Sequence, residues 1–207
     1  MVRTVAPVRF PGPAGTLEGL WSDPGRGRPA AVLCHPHPAH GGSMHSKVVH
    51  TVYRVLSERG HPTIRFNFRG VGTSEGAYSG WSEETGDVAA AAAFAREKTG
   101  KRPLWAAGFS FGAWIALQWA LGDDAVERCL ALGLPVGEHA FDFLTRLPWP
   151  LAVIQGERDR YGSSAQIEAL RSRVSPSERF TVRTVPDADH FFTGKLDALQ
   201  KALEEIV

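Results

Sequence analysis

The chain has 207 residues, of which 43% are hydrophobic, 22% charged and 10% aromatic, proportions typical of one globular domain and too apolar for a disordered chain. Its 23 Lys and Arg balance 22 Asp and Glu, which disfavours nucleic acids and anionic membranes as partners. Residues 1–7 lack the apolar run of a signal peptide and no later segment is long enough to span a membrane, so we expect a single cytoplasmic domain over residues 1–207 and leave its oligomeric state open.

The predicted elements begin with a hairpin and then alternate between strands and helices. Residues 2–21, with Pro and Gly at positions 11–15, predict an antiparallel hairpin at a sheet edge. Short apolar runs predict strands at 30–34, 63–68, 104–107, 129–132 and 151–155, and another strand follows at 179–185. Helices are predicted at 47–58, 85–98, 111–121, 164–173 and 194–206. The alternation predicts the α/β class, a doubly wound, mostly parallel sheet of about seven strands with helices on both faces.

One connection bears on the surroundings of any active site. Residues 133–150, between two predicted strands, contain Pro135, Pro148 and Pro150. The segment is too short for a substantial helical cap. We therefore expect no cap domain and a rather open site.

A serine lies at the junction of a predicted strand and a predicted helix. Gly108-Phe109-Ser110-Phe111-Gly112 matches the pattern G-x-S-x-G, and strand followed by helix is the context that this pattern requires. The two glycines leave room for a sharp turn, and the helix N-terminus favours a developing negative charge. We expect Ser110 to be a nucleophile and the N–H of Phe111 to be an oxyanion donor.

A base and an acid follow later in the chain. Asp159 comes just after the strand at 151–155, and His190 comes after the strand at 179–185. A serine hydroxyl needs a base to take its proton, and that base needs a third group to orient it. His190 is the predicted base and Asp159 the predicted acid, although Glu157 and Asp189 lie close enough to compete for the latter role. All three predicted residues follow the carboxyl ends of strands, where a parallel sheet places its ligand site.

The elbow around Ser110, the Gln-Gly-Glu-Arg-Asp turn at 155–159 and Ala-Asp-His-Phe-Phe at 188–192 resemble the motifs of the α/β-hydrolase superfamily. Residues 34–42 and 65–76 further resemble a small, cap-poor bacterial group close to dienelactone hydrolases and carboxylesterases. This resemblance implies that the acid is Asp159, at the end of the turn. Dienelactone hydrolases use a cysteine where this chain has Ser110, so ester cleavage is favoured over lactone opening.

The resemblance also implies that the loop after the first parallel strand carries the second oxyanion donor. The donor is usually the residue two positions past the strand-end histidine. In this chain that residue is His37. Pro36 and Pro38 have no N–H to offer, so the alternatives to His37 are Gly41 and Gly42.

The same loop raises the question of a metal. Residues 35–45 contain four histidines, and imidazole is a common zinc ligand. The spacing lacks both an HExxH pattern and a cysteine pair, so we expect no metal and no cofactor. Cys34 and Cys129 lie in apolar runs and are predicted to be buried free thiols.

Aromatic and charged residues complete the candidate site. Trp81, Phe109, Tyr161 and Phe191 are expected to line the substrate pocket. Other tryptophans, including those at 105, 114 and 119, are expected to pack in the core. The arginine and glutamate of the loop at 69–76 are expected to form a salt bridge that fixes it.

The sequence therefore predicts a serine hydrolase that cleaves small carboxylic esters through an acyl-enzyme. Thioesters and lactones pass through the same oxyanion, so hydrolysis of either is an open alternative. A non-catalytic binding or scaffold protein is another, because a fold does not fix a function.

Overall fold

The computed structural model describes residues 5–81, 83–100 and 103–207. Its strands are β1 (Val5–Gly12), β2 (Gly15–Ser22), β3 (Ala30–Cys34), β4 (Thr63–Phe66), β5 (Leu104–Phe109), β6 (Val126–Leu132), β7 (Leu151–Gly156) and β8 (Phe180–Val185). They form one sheet in the order β1-β2-β4-β3-β5-β6-β7-β8. The pairs β1/β2 and β2/β4 are antiparallel and the remaining pairs are parallel.

In the described ranges, five α-helices cover the two faces of this sheet. They are α1 (Lys47–Glu58), α2 (Glu84–Thr99), α3 (Phe111–Leu121), α4 (Ser164–Arg173) and α5 (Leu196–Glu204). Helices α1 and α5 pack together on one face, and α2 and α3 pack together on the other. Across the described ranges, no helix has both the length and the apolar character needed to cross a membrane.

The predicted α/β fold is confirmed, with differences in the number of strands and in the bounds of several elements. The described residues form eight strands rather than about seven, because both arms of the hairpin join the sheet; residues 2–4 of the predicted hairpin lie outside the described ranges. The strand predicted at 63–68 ends at Phe66, because the backbone N–H of Phe68 donates to the side chain of His35 instead of to a neighbouring strand.

The central strands are apolar throughout because helices cover both of their faces. In β3, Val32 and Cys34 pack on one side of the sheet, while Ala31 and Leu33 pack on the other. The prediction of buried free thiols at Cys34 and Cys129 is confirmed. Burial raises the pKa of both thiols, which makes them poor nucleophiles.

The connection between β6 and β7 contains no helix. Four large apolar side chains anchor it to the core beside α3, namely Phe141, Leu144, Leu147 and Trp149. The segment is therefore anchored to the core, and the expected absence of a cap in this connection is confirmed.

The predicted salt bridge between Arg69 and Glu75 is wrong. The guanidinium of Arg69 pairs with Asp87 of α2 at 2.8 Å and also contacts Glu83. Glu75 instead accepts a hydrogen bond of 2.6 Å from the N–H of Thr16. Both Arg69 and Asp87 are buried, and a buried cation needs a close counter-charge, which the solvent-facing Glu75 would supply less well.

Candidate active site

Ser110 lies in a sharp turn between β5 and α3. Its φ is +55°, a conformation that non-glycine residues rarely adopt and that is often found at active sites. A Cβ on Gly108 would lie 2.4 Å from the backbone of Gly112, and one on Gly112 would lie 2.4 Å from the carbonyl oxygen of His35. Both flanking positions therefore require glycine, and the tight packing directs the side chain of Ser110 into a cleft.

The structure brings the three residues predicted as nucleophile, base and acid into one chain of hydrogen bonds. His190 Nε2 lies 2.9 Å from Ser110 Oγ, and His190 Nδ1 lies 2.8 Å from Asp159 Oδ2. His190 and Asp159 are each only 4% exposed. The loops that carry them are in direct contact, since a Cβ on Gly156 would lie 2.5 Å from the carbonyl oxygen of Ala188.

A buried glutamine, which the sequence analysis did not identify, holds the carboxylate of Asp159. Gln155 Nε2 donates to Asp159 Oδ2 at 2.9 Å and to the carbonyl of Gly162 at 2.8 Å, and Gln155 Oε1 accepts from the N–H of Leu134 at 2.9 Å. The other carboxylate oxygen of Asp159 accepts from the N–H of Tyr161 at 2.9 Å. Gln155 thus ties the acid to the loop that follows β6.

The two competing carboxylates are engaged elsewhere. Glu157 accepts a hydrogen bond of 2.8 Å from the N–H of Asp187. Asp189 accepts one of 2.8 Å from the N–H of Thr193, and this backbone hydrogen bond is the main reason why the pKa of Asp189 is lowered. The geometry thus favours Asp159 as the partner of His190.

Two backbone amides are candidates for stabilising an oxyanion. Phe111 is the first residue of α3, and His37 lies in the loop after β3; both line the cleft beside Ser110. Among the described residues, neither amide has a hydrogen-bond acceptor. The N–H of Gly41 donates to the carbonyl of Pro38 and that of Gly42 to the carbonyl of His37, each at 3.1 Å. Because these internal bonds engage the amides of both alternative donors, His37 remains the candidate for the second oxyanion donor.

The histidines of this loop differ in their burial and contacts. His35 is fully buried, and desolvation lowers its pKa to about 4. The imidazole of His37 accepts from the N–H of Ala39 at 3.1 Å and lies 3.1 Å from the hydroxyl of Tyr78. Burial is the main cause that lowers the pKa of His37, and the nearby His40 lowers it further. Over the ranges that the structure describes, no group of three His, Cys, Asp or Glu residues could hold a metal ion.

The cleft has a volume of about 940 Å³, and all four predicted pocket residues line it: Trp81, Phe109, Tyr161 and Phe191. The ring of Trp81 packs 4.5 Å from that of Phe111, and its φ is +86°. Trp114 lies behind Trp81 at a ring distance of 5.2 Å. As expected, Trp105 and Trp119 are buried.

Part of the rim of the cleft was not predicted from the sequence. Glu138 and His139, from the connection between β6 and β7, line the cleft, and so do Lys47 and Arg160. The ring of His139 lies 4.1 Å from that of Trp81. These residues lie in irregular segments or at element ends, where no periodicity indicates which side chains point inward, so no sequence pattern could have identified them.

Comparison with known proteins agrees with this architecture. Residues 29–204 match the family model described as an alpha/beta hydrolase domain. An uncharacterised protein from Rickettsia prowazekii is 32% identical over 206 residues, which cover 96% of this chain and 87% of that protein.

Two solved structures are similar in both fold and sequence. An α/β serine hydrolase homologue from Coxiella burnetii has 35% identity and a TM-score of 0.89, covering 99% of this chain and 98% of that one. A member of the α/β serine hydrolases without a lid, from Xanthomonas campestris, has 33% identity and a TM-score of 0.86, covering 97% and 92%. Together with the absence of a cap from the part of the chain that the structure describes, these matches show that the chain belongs to the α/β-hydrolase family, as a member without a cap.

Proposed function

We propose that this protein is a serine hydrolase that cleaves small carboxylic esters through an acyl-enzyme. The observation that carries the proposal is the hydrogen-bonded series Ser110, His190 and Asp159, with distances of 2.9 and 2.8 Å, at a strained turn that opens into the cleft. A serine whose hydroxyl contacts a histidine, itself oriented by a carboxylate, is the arrangement that activates an oxygen nucleophile.

In the first half of the proposed reaction, His190 Nε2 takes the proton of Ser110 as Oγ attacks the ester carbonyl carbon. The carbonyl π electrons move to oxygen and form the oxyanion of a tetrahedral intermediate. When this intermediate collapses, the bond to the alcohol oxygen breaks and the protonated His190 gives its proton to the leaving alkoxide. Asp159 holds the ring so that Nε2 faces Ser110 and stabilises the positive charge that forms on it.

In the second half, a water molecule takes the place of the alcohol. His190 removes a proton from the water as the oxygen of the water attacks the acyl carbon. When the second tetrahedral intermediate collapses, the bond to Ser110 Oγ breaks, the protonated His190 gives its proton to Oγ, and the acid is released. In both intermediates, the amides of Phe111 and His37 would donate hydrogen bonds to the oxyanion. Such preorganised donors usually supply a large part of the catalytic effect.

The cleft supports the choice of an uncharged or weakly charged organic ester. Its lining includes six Phe, Trp and Tyr side chains, and Lys47, Arg160 and Glu138, which also line it, carry charges of both signs. The proposed substrate needs no metal or cofactor for its hydrolysis, because all proton transfers pass through His190. The same machinery would accept a thioester or a lactone if its shape suited the cleft.

The test is covalent labelling combined with turnover. We expect a fluorophosphonate probe to add one adduct to the intact protein in a mass spectrum, and p-nitrophenyl acetate to be hydrolysed steadily. Ser110→Ala should abolish both signals. Ser46→Ala is the matched control, because Ser46 lines the same cleft but hydrogen-bonds to the N–H of Ser43, so this variant should label and turn over like the wild type.

Absence of labelling in the wild type, or labelling that persists in Ser110→Ala, would refute the proposal. Labelling without turnover of any ester, thioester or lactone in a substrate panel would instead favour a binding protein with a reactive serine. The panel also decides which acyl compound is cleaved fastest.

A further inference from the structure

The side chain of His35 holds the peptide unit between Pro36 and His37 from the buried side. His35 Nδ1 lies 2.6 Å from the carbonyl oxygen of Pro36, and His35 Nε2 lies 3.1 Å from the backbone nitrogen of Phe68. The ring is fully buried and packs against the ring of Phe68 at 4.8 Å. None of these contacts involves Ser110, and His35 itself does not line the cleft.

These two contacts determine where the proton of the imidazole lies. The carbonyl of Pro36 can only accept a hydrogen bond, so Nδ1 must carry a proton and donate it. The N–H of Phe68 can only donate, so Nε2 must be unprotonated and accept. The contacts therefore select a neutral His35 protonated at Nδ1, because the tautomer of a histidine is set by its hydrogen bonds.

The direction of the Pro36 carbonyl also fixes the direction of the next N–H. The only cis peptide bond in the described part of the chain is Ser175–Pro176, so the bond between Pro36 and His37 is trans. In a planar trans peptide, C=O and N–H point to opposite sides. Because His35 holds the carbonyl on the buried side, the N–H of His37 points away from the core, towards the cleft that His37 lines with Ser110.

Gly42 confines the same peptide from another direction. A Cβ at this position would lie 2.0 Å from the carbonyl oxygen of Pro36 and 2.7 Å from that of His37. Only glycine allows the loop to close this tightly. The peptide is thus confined between the ring of His35 and the backbone of Gly42.

We propose that His35 is a positioning residue for the oxyanion hole: its Nδ1–H fixes the Pro36–His37 peptide so that the N–H of His37 faces the reacting carbonyl. This inference rests on the proposed function, since it assigns a task to the His37 amide within that reaction. His35 itself touches neither the substrate nor Ser110. Its effect is on the transition state, in which the negative charge forms.

A pair of substitutions separates the two hydrogen bonds of the ring. In Asn, the amide nitrogen is bonded to Cγ, as Nδ1 is in histidine, so His35→Asn can keep the donor to the Pro36 carbonyl while losing the acceptor for Phe68. In Gln, the amide group is one bond further out, so His35→Gln can keep the acceptor for Phe68 while losing the donor to Pro36. Each variant loses one buried hydrogen bond, so each is the other's control for destabilisation.

We expect His35→Gln to lower kcat for p-nitrophenyl acetate by about 10- to 100-fold with little change in KM, because an oxyanion contact acts mainly in the transition state. His35→Asn should stay within about threefold of the wild-type kcat, although its melting temperature should fall as much as that of His35→Gln. Equal kcat values in two folded variants, or a greater loss in His35→Asn, would overturn the inference.

A second measurement does not depend on how the variants fold. Nitrogen-15 NMR of histidine-labelled wild-type protein, with His35 assigned through its contact with the Phe68 amide, should show a neutral ring protonated at Nδ1. A ring protonated at Nε2, or at both nitrogens at pH 7, would overturn the inference. Failure of the wild type to react with a fluorophosphonate would instead refute the proposed function, and the inference with it.

Discussion

The floor of the cleft and its rim differ in how their side chains are held. On the floor, Ser110, Asp159 and His190 are held by directed hydrogen bonds of 2.8 and 2.9 Å, mostly in buried surroundings. On the rim, Trp81 packs through ring contacts, and Phe191 is 54% exposed. Hydrogen bonds fix atoms to within tenths of an ångström, whereas ring contacts tolerate sliding. From this difference we expect the floor to carry the proposed chemistry and the rim to carry selectivity.

The largest expected effect tests the assignment of the floor acid. Asp159→Asn should lower kcat by about 10⁴-fold, because an amide that replaces the carboxylate stabilises the wrong tautomer of His190. Glu157→Gln and Asp189→Asn are the matched controls and should stay within about threefold, since both side chains bond to backbone amides elsewhere. The measurement is kcat for p-nitrophenyl acetate. A greater loss in either control would move the acid to that residue.

The residues of the floor could be predicted from the sequence more readily than those of the rim, for a physical reason. Ser110, Asp159 and His190 each follow a strand of the parallel sheet, and the carboxyl ends of such strands meet at one edge. The requirement for glycine at 108 and 112 is equally local, because the turn itself creates the close approach. Local patterns therefore predicted these positions, together with the fold that brings them together.

Features that depend on contacts between distant parts of the chain were either not predicted from the sequence or predicted wrongly. Gln155 supports Asp159 only because the loops after β6 and β7 both reach its amide. Arg69 pairs with Asp87 because α2 packs against its loop, and the chain between them gives no sign of this pairing. His139 faces the cleft from an irregular segment. In each case the position follows from tertiary packing, which periodicity does not report.

The next effect concerns His35 and the loss of the protein's unfolding free energy at acidic pH. In the folded protein the pKa of His35 is about 4, whereas an unfolded chain has a histidine pKa of about 6.5. As the pH falls below the unfolded value, the unfolded chain binds a proton that the folded protein refuses, so the free energy of unfolding falls. Between pH 7 and pH 4.5 this group should remove about 2 to 3 kcal/mol.

His35→Asn isolates that contribution. Urea denaturation of both proteins at pH 7 and pH 4.5 should show a smaller loss of unfolding free energy in the variant, because it has no imidazole at this position. The other histidines and carboxylates titrate in both proteins and cancel in the comparison. An equal loss in the two proteins would show that His35 is not held in its neutral form.

A smaller effect is expected at Gln155, the side chain that holds the carboxylate of Asp159. Gln155→Met has a similar volume but lacks the amide that holds Asp159, and we expect kcat to fall about tenfold, the rate equivalent of about 1.4 kcal/mol, which is the size of a typical hydrogen bond. In Gln155→Glu, a protonated carboxyl can still donate to Asp159, but an ionised one repels it. The kcat of this variant relative to wild type should therefore fall as the pH rises. A ratio that does not change with pH would show that Gln155 only fills space.

The smallest effect is expected at the rim, in the dependence of rate on acyl length. Each buried methylene is worth about 0.8 kcal/mol only where the protein removes it from water, and the connection between β6 and β7 has no helix that could cover the cleft. We expect kcat/KM for p-nitrophenyl esters to peak between acetate and butyrate and to fall severalfold by octanoate. Trp81→Leu should alter this profile while leaving the kcat for acetate within about threefold, because Trp81 makes ring contacts with Phe111 and His139 but has none with His190. Ser46→Ala, which removes a hydroxyl from the same cleft, should leave the profile unchanged. Rates that rise steadily to octanoate in the wild type would instead reveal a continuous apolar groove, whose walls would be Trp81, Trp114 and Phe191.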